Sequence, residues 1–114
     1  MRIWDVPVGC LCREHLLAEH RELHAIWNIV IKQKQGYSKH PEVLRWHGRL
    51  GALWERHEEQ RREMSRRGYV HRSPLELSEI PRRHRGNRQT VLLESIESQK
   101  RKLELKGCEC KIRP

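Results

Sequence analysis

The chain has no phenylalanine, and its aromatic residues are four Trp and two Tyr. A core in this protein must therefore be built from Leu, Ile, Val and Trp. No apolar run reaches the length of a signal core or a membrane span, and Asp5 and Pro7 interrupt the N-terminal segment. This absence argues against a secretory leader or an integral membrane protein and predicts a cytoplasmic protein whose thiols stay reduced. Internal repeats, low-complexity tracts and the alternating pattern of strands are also missing. Acidic residues are evenly spread, but basic ones are concentrated in the second half. Residues 1–60 carry 9 Lys/Arg against 8 Asp/Glu, a difference of +1, whereas residues 61–114 carry 15 against 7, a difference of +8. A one-sided positive field attracts polyanions and speeds their encounter, and nucleic acid is the obvious candidate. An anionic membrane fits less well, because the basic residues are not paired with an exposed apolar helix face. A basic surface that serves only solubility is the plain alternative.

What is present suits one domain over residues 1–114. A chain of this size buries on the order of 65% of its unfolded surface, enough for a modest helical core. Residues 1–12 read as an extended arm, with Pro7 and Gly9 breaking regularity. The first helix is predicted over about 13–33, stopping before Gly36. Pro41 opens a second helix where its missing N–H does no harm. Val43, Trp46, Leu50, Leu53, Trp54, His57 and Met64 recur along it at three- and four-residue spacing. It should end at Arg66-Arg67, with Gly68 just beyond. Residues 69–89 read as an ordered surface loop. A third helix is expected over about 90–106, with Val91, Leu92, Ile96 and Leu103 inward. The expected fold is thus all-α: a compact three-helix domain with an extended N-terminal arm and long connecting loops.

The most informative stretch is His15-Leu16-Leu17-Ala18-Glu19-His20-Arg21-Glu22-Leu23. Side chains three and four apart share a helix face, so His15, Ala18, Glu22 and Ala25 form one stripe. Leu16, Leu23, Ile26, Trp27 and Val30 form a neighbouring apolar stripe that should face a core. A carboxylate between two alanines leaves room for another molecule to approach, and Arg21 beside it can hold a phosphate. By spacing alone, Glu22 reads as an ordinary solvated charge.

This stretch resembles the segment carrying the catalytic glutamate in the phage and bacterial pyrimidine-dimer DNA glycosylases of the endonuclease V type. The start Met1-Arg2-Ile3, the helix-closing Arg67-Gly68-Tyr69, and Ser78-Glu79-Ile80-Pro81 followed by Arg85-Gly86 also resemble that family, in its order. The likeness is good over 1–31, moderate over 50–86 and thin over 90–106. It implies a DNA-repair glycosylase and abasic-site lyase that needs no cofactor for catalysis. The amine of the first residue would attack the sugar carbon bearing the damaged base, forming a protonated imine before elimination breaks the strand. α-Amines titrate at about 7.7–8.0 and lysines at about 10.4, so an α-amine is the readier nucleophile near neutral pH. By this resemblance the catalytic residues are Met1, aligned with the family's terminal threonine amine, and Glu22, which would stabilise the imine and move protons. Arg2, His15 and Arg21 would contact lesion, sugar or phosphate, and Arg82, Arg83, Arg85 and Arg101 the backbone. Two departures bear on the lesion: Ala25 stands where the family has a second arginine, and the aromatic tail gives way to Gly107-Cys108-Glu109-Cys110-Lys111-Ile112-Arg113-Pro114. Strand cleavage at abasic sites is therefore the firmer expectation. Base removal needs an extruded nucleotide, against which Trp4 or Trp27 could stack if they are not core. The expected partner is double-stranded DNA with a damaged base or abasic site, bound by a monomer that is nucleoid-associated when on DNA, with no membrane.

Cys10 and Cys12 precede the first helix, and Cys108 and Cys110 follow the third. Four thiolates could hold a structural zinc or an iron–sulfur cluster, although Cys-x-Cys is tighter than the usual zinc spacing. Free thiols are the simpler alternative. Two other functions stay open: a non-catalytic, basic helical nucleic-acid-binding protein, and a cysteine-metal regulatory module.

Overall fold

The apolar stripe of the first helix organises the molecule. In the computed structural model, which describes residues 1–32, 39–70, 73–106 and 110, α1 spans Arg13–Ile31. Leu16, Leu23, Ile26, Trp27 and Val30 on it are each 4% exposed or less. Burying such a side chain contributes roughly 1.5–3 kcal/mol, so this one face is a large part of the driving force. Gly36, expected as the stop signal, lies outside the described residues.

The single second helix expected from Pro41 onward is two helices. α2 spans Pro41–Leu44 and α3 spans Leu50–Arg66. Between them, Gly48 takes φ +77°, a left-handed conformation that suits glycine. The inward spacing survives the break: Val43, Trp46, Leu50, Leu53 and His57 are 3% exposed or less. The predicted end holds. Gly68 has φ +89°, and the Tyr69 N–H returns to the Met64 carbonyl at 2.8 Å, closing the helix end.

The break at Gly48 has a tertiary cause. The Gly86 N–H donates to the Gly48 carbonyl and the Ala52 N–H donates to the Gly86 carbonyl, each at 2.9 Å. A Cβ on Gly86 would lie 2.3 Å from the Gly48 carbonyl oxygen, and one on Gly51 would lie 2.7 Å from that of Gly86. Three glycines thus let the Arg85-Gly86 strand-like segment sit directly on the start of α3. The loop before it contains two short 3₁₀ turns, Leu77–Glu79 and Arg82–His84. The His84 Nδ1 accepts the Gly48 N–H at 2.7 Å and locks the same junction.

The last helix is shorter than expected. α4 spans Ile96–Leu105, capped by Ser95, whose hydroxyl accepts the Ser98 N–H at 3.1 Å. That cap starts the helix six residues later than the apolar pattern suggested. Of the four residues expected inward, only Leu103 is buried, whereas Val91, Leu92 and Ile96 are 37–43% exposed. Gln99, one turn before Leu103, is the buried polar residue of this face, 2% exposed.

Two apolar clusters result, and the N-terminal arm belongs to both. Ile3 joins Leu23, Trp27, Trp46 and Leu53, while Trp4, Val6, Val8 and Leu11 join Leu16, Met64 and Leu103. The arm is extended, as expected, but it runs through the interior. All-α architecture holds among the described residues, with four α-helices in place of three. Among the described residues, no helix is long and apolar enough to cross a membrane.

Candidate active site

An extended segment buried among helices cannot satisfy its own backbone, so side chains must do it. Here five do. Glu42 on α2 accepts the Ile3 N–H at 3.2 Å, Glu19 on α1 accepts the Trp4 N–H at 2.7 Å, and Gln99 on α4 accepts the Asp5 N–H at 2.7 Å. Arg45, after α2, donates to the Ile3 carbonyl at 2.9 Å, and Arg56 on α3 donates to the Val6 carbonyl at 2.7 Å. Every one of these clamping groups is satisfied in turn. Glu42 also accepts from Arg45 and Trp46, while Arg45 pairs with Asp5 at 3.0 Å. The Glu19 carboxylate takes both Arg56 nitrogens, at 2.9 and 3.0 Å, and the Gln60 amide at 2.5 Å. Residues 3–6 are thus held by side chains from four different helices or their ends.

Met1 emerges from this clamp onto a cavity of about 360 Å³, lined also by Arg2, Asp5, His40, Glu42, Arg45, Leu93, Glu94, Gln99 and Lys102. Its three carboxylates are engaged. Asp5 takes Arg45 and Gln99, Glu42 takes three donors, and Glu94 pairs with Arg2 and with Lys102 at 2.9 Å. Arg2 is half-buried, with its guanidinium 3.9 Å over the Trp4 ring. The sequence reading left it free for phosphate, whereas the fold ties it to Glu94. Burial lowers the Arg2 pKa from its ordinary value, against the raising influence of Glu42 and Asp5.

Glu22 is half-buried, between exposed Ala18 and half-buried Ala25, and no hydrogen bond or ion pair among the described residues engages its carboxylate. It is not among the residues lining the Met1 cavity. Its neighbour Arg21 is exposed. The two glutamates of the motif thus part company: Glu19, which the sequence reading passed over, is a fully engaged interior anion, and Glu22 is an available one. One helical turn separates them, but Glu19 falls on the apolar stripe between Leu16 and Leu23, where α3 and the arm cover it.

Arg82, Arg83, Arg85 and Arg101 are all exposed, as backbone-contacting residues must be. Arg85 donates to the Ile80 carbonyl at 3.3 Å, within the loop pinned by the glycine junction. A second cavity, about 560 Å³, is lined by Gly9, Leu11, Cys12, Glu63 and three arginines that were not among the expected DNA contacts, Arg13, Arg66 and Arg67. Glu63 pairs with both Arg66 and Arg67, and Arg67 also donates to the Leu11 carbonyl at 2.7 Å.

The expected base-stacking residues belong to the interior: Trp4 is 6% exposed and Trp27 1%. His15 turns inward as well. Its Nδ1 lies 3.0 Å from the Cys12 Sγ and 3.4 Å from the Cys110 Sγ, its ring stands edge-on to Trp4, and burial holds its pKa below the ordinary imidazole range. Cys12, His15 and Cys110 therefore form one potential ligand group. Cys10 is half-buried and stands outside that group, and Cys108 lies outside the described residues. Chain ends 95 residues apart meet here.

No curated protein and no solved structure matches the chain. The family model described as pyrimidine dimer DNA glycosylase matches residues 1–77, which hold the buried arm, the whole of α1 with Glu22, and α2 and α3. The chain belongs to the pyrimidine dimer DNA glycosylase family.

Proposed function

We propose that this protein is a DNA N-glycosylase and abasic-site lyase that works through the α-amine of Met1. The amine nitrogen attacks the sugar carbon bearing the damaged base, the bond to the base breaks and the base departs with a proton from that nitrogen, and the sugar ring then opens at its carbon–oxygen bond, the ring oxygen taking a proton, to leave a cationic imine linking protein and DNA. Removal of a proton from the adjacent sugar carbon then expels the 3′ phosphate by β-elimination. At an abasic site only the later steps are needed, so strand cleavage there is the primary activity, and a pyrimidine dimer is the lesion that family membership favours. Glu22 stabilises the imine and carries the protons. The carboxylates around Met1 are poorly suited to that work, because each is already neutralised by arginine, lysine or amide donors. Exposed Arg21, Arg82, Arg83, Arg85 and Arg101 grip the backbone of double-stranded DNA, and the protein acts as a monomer.

The observation that carries this reading is the clamp on residues 3–6, in which five buried or half-buried side chains from four elements fix a chain terminus beside a cavity. A non-catalytic DNA-binding role needs only the exposed arginines and gives no reason for that clamp. Of the four cysteines expected as ligands, Cys12 and Cys110 are the two whose placement supports a brace, with His15 joining them and tying residue 110 to the start of α1. The deciding experiment is borohydride reduction on duplex DNA carrying one abasic site. We expect a covalent adduct mapping to Met1, its loss on acetylation of that amine, and cleavage reduced about a hundredfold or more in Glu22→Gln, with DNA binding retained. An adduct on an internal lysine refutes the assignment of the nucleophile.

A further inference from the structure

The motif helix carries two histidines that the proposed chemistry does not use. His20 and His24 are one turn apart on α1, so they project side by side, and His57 on α3 meets them. The His20 and His24 Nε2 atoms are 3.2 Å apart, as are those of His24 and His57. All three rings lie within 5.0 Å of one another, centroid to centroid. Helix position puts this trio away from Glu22, which lies two residues from both His20 and His24 and so points to the other side of α1.

Three converging imidazole nitrogens pose a chemical question. The His20 Nδ1 donates to the Gln60 Oε1 at 2.8 Å, which leaves the lone pair of this neutral imidazole on Nε2. Each 3.2 Å nitrogen–nitrogen contact needs one proton between its partners. The His24 Nε2 belongs to both contacts, and one N–H cannot point straight at two acceptors. A cation at the centre satisfies all three lone pairs together. The spacing fits: tetrahedral coordination at about 2.0–2.1 Å separates ligand nitrogens by about 3.3–3.4 Å. The surroundings fit too. Metal-bound imidazole is usually oriented by a partner on its other nitrogen. Here Gln60 fills that role for His20 and is itself held by the Glu19 carboxylate at 2.5 Å.

We propose that His20, His24 and His57 bind one divalent transition-metal ion of the zinc type, cross-linking α1 to α3. Imidazole nitrogen suits such ions, and three protein ligands leave a fourth coordination position. His57 is fully buried while His24 is partly exposed, so the fourth position lies toward the His24 side. The site is independent of the Met1 mechanism. It would stiffen the helix that presents Arg21 and Glu22.

The test is a titration of tag-free, chelator-treated full-length protein with Co(II), read by visible absorption and by competition with Zn(II). A Cys12→Ser variant removes the other potential ligand group from the comparison. We expect one equivalent bound in Cys12→Ser, with nitrogen-type spectra. His24→Gln, at the partly exposed position, should weaken binding by more than the roughly 10–100-fold typical of losing an orienting partner. In wild type, Zn(II) should shift the NMR signals of the three Nε2 atoms together, a readout that needs no variant to fold. Equal affinity in folded His24→Gln, absence of one-equivalent binding in Cys12→Ser, or unshifted Nε2 signals would each overturn the proposal.

Discussion

Replacing Glu19 by alanine should be far more damaging than the same change at Glu22, although the two sit one turn apart in the same motif. The Glu19 side chain is fully buried and accepts from the Trp4 N–H, two Arg56 nitrogens and the Gln60 amide. Its Arg56 partner is itself only 12% exposed. Removing one partner of a buried pair leaves the other charge uncompensated and costs about 3–5 kcal/mol. At about 4 °C per kcal/mol for a domain of this size, Tm should fall by roughly 12–20 °C. Glu22→Ala removes a half-buried carboxylate without an ion-pair partner and should stay within about 0.5 kcal/mol of wild type. Urea unfolding followed by tryptophan fluorescence measures both, since Trp4 and Trp27 sit in the two clusters that must separate. Exchanging Arg56 for methionine in the Glu19→Ala background should restore part of the loss, because the orphaned charge is then gone. If Glu19→Ala costs less than about 1 kcal/mol, or Glu22→Ala costs as much, the division of labour between the two glutamates is wrong.

Three further outcomes are expected. Gly86→Ala would press a methyl group to 2.3 Å from the Gly48 carbonyl oxygen, so it should cost about 1–3 kcal/mol in urea unfolding and loosen the Arg82–Arg85 loop. Burial, with His47 and Arg83 nearby, keeps the His84 pKa below 6.5, so the unfolded chain takes up this proton before the folded one does. That contribution to stability is complete above pH 6.5 and is lost as pH falls toward the folded value, and His84→Gln should flatten this part of the stability–pH curve. DNA affinity should fall steeply with salt, by about 0.9 in log–log slope for each phosphate neutralised, and replacing Arg82 and Arg83 should reduce that slope. A slope unchanged in that double variant would remove the loop from the interface.

The features legible in the linear sequence are those governed by neighbours three or four residues away. The buried stripe of α1, the start at Pro41, the end at Gly68 and the inward spacing from Val43 to Met64 follow from helical periodicity and from residues suited to helix ends. Family resemblance worked for a similar reason, because its strongest motif lies on one uninterrupted helix. Decisions that only the tertiary structure could make involve partners far along the chain. The break at Gly48 exists because Gly86 docks there, and α4 begins at Ile96 because Ser95 caps it while Gln99 reaches across 94 residues to Asp5. A helical wheel puts Glu19 on the apolar stripe and Glu22 beside it, but only the approach of Arg56, Gln60 and Trp4 makes the buried carboxylate a satisfied anchor. His15, expected to contact DNA, has Cys110 beside it only because the fold brings residue 110 back to the start of α1. Local periodicity determines which face of an element is buried, whereas the pairing of buried polar groups depends on long-range approach, because a buried charge or backbone amide must find its partner wherever the fold brings one.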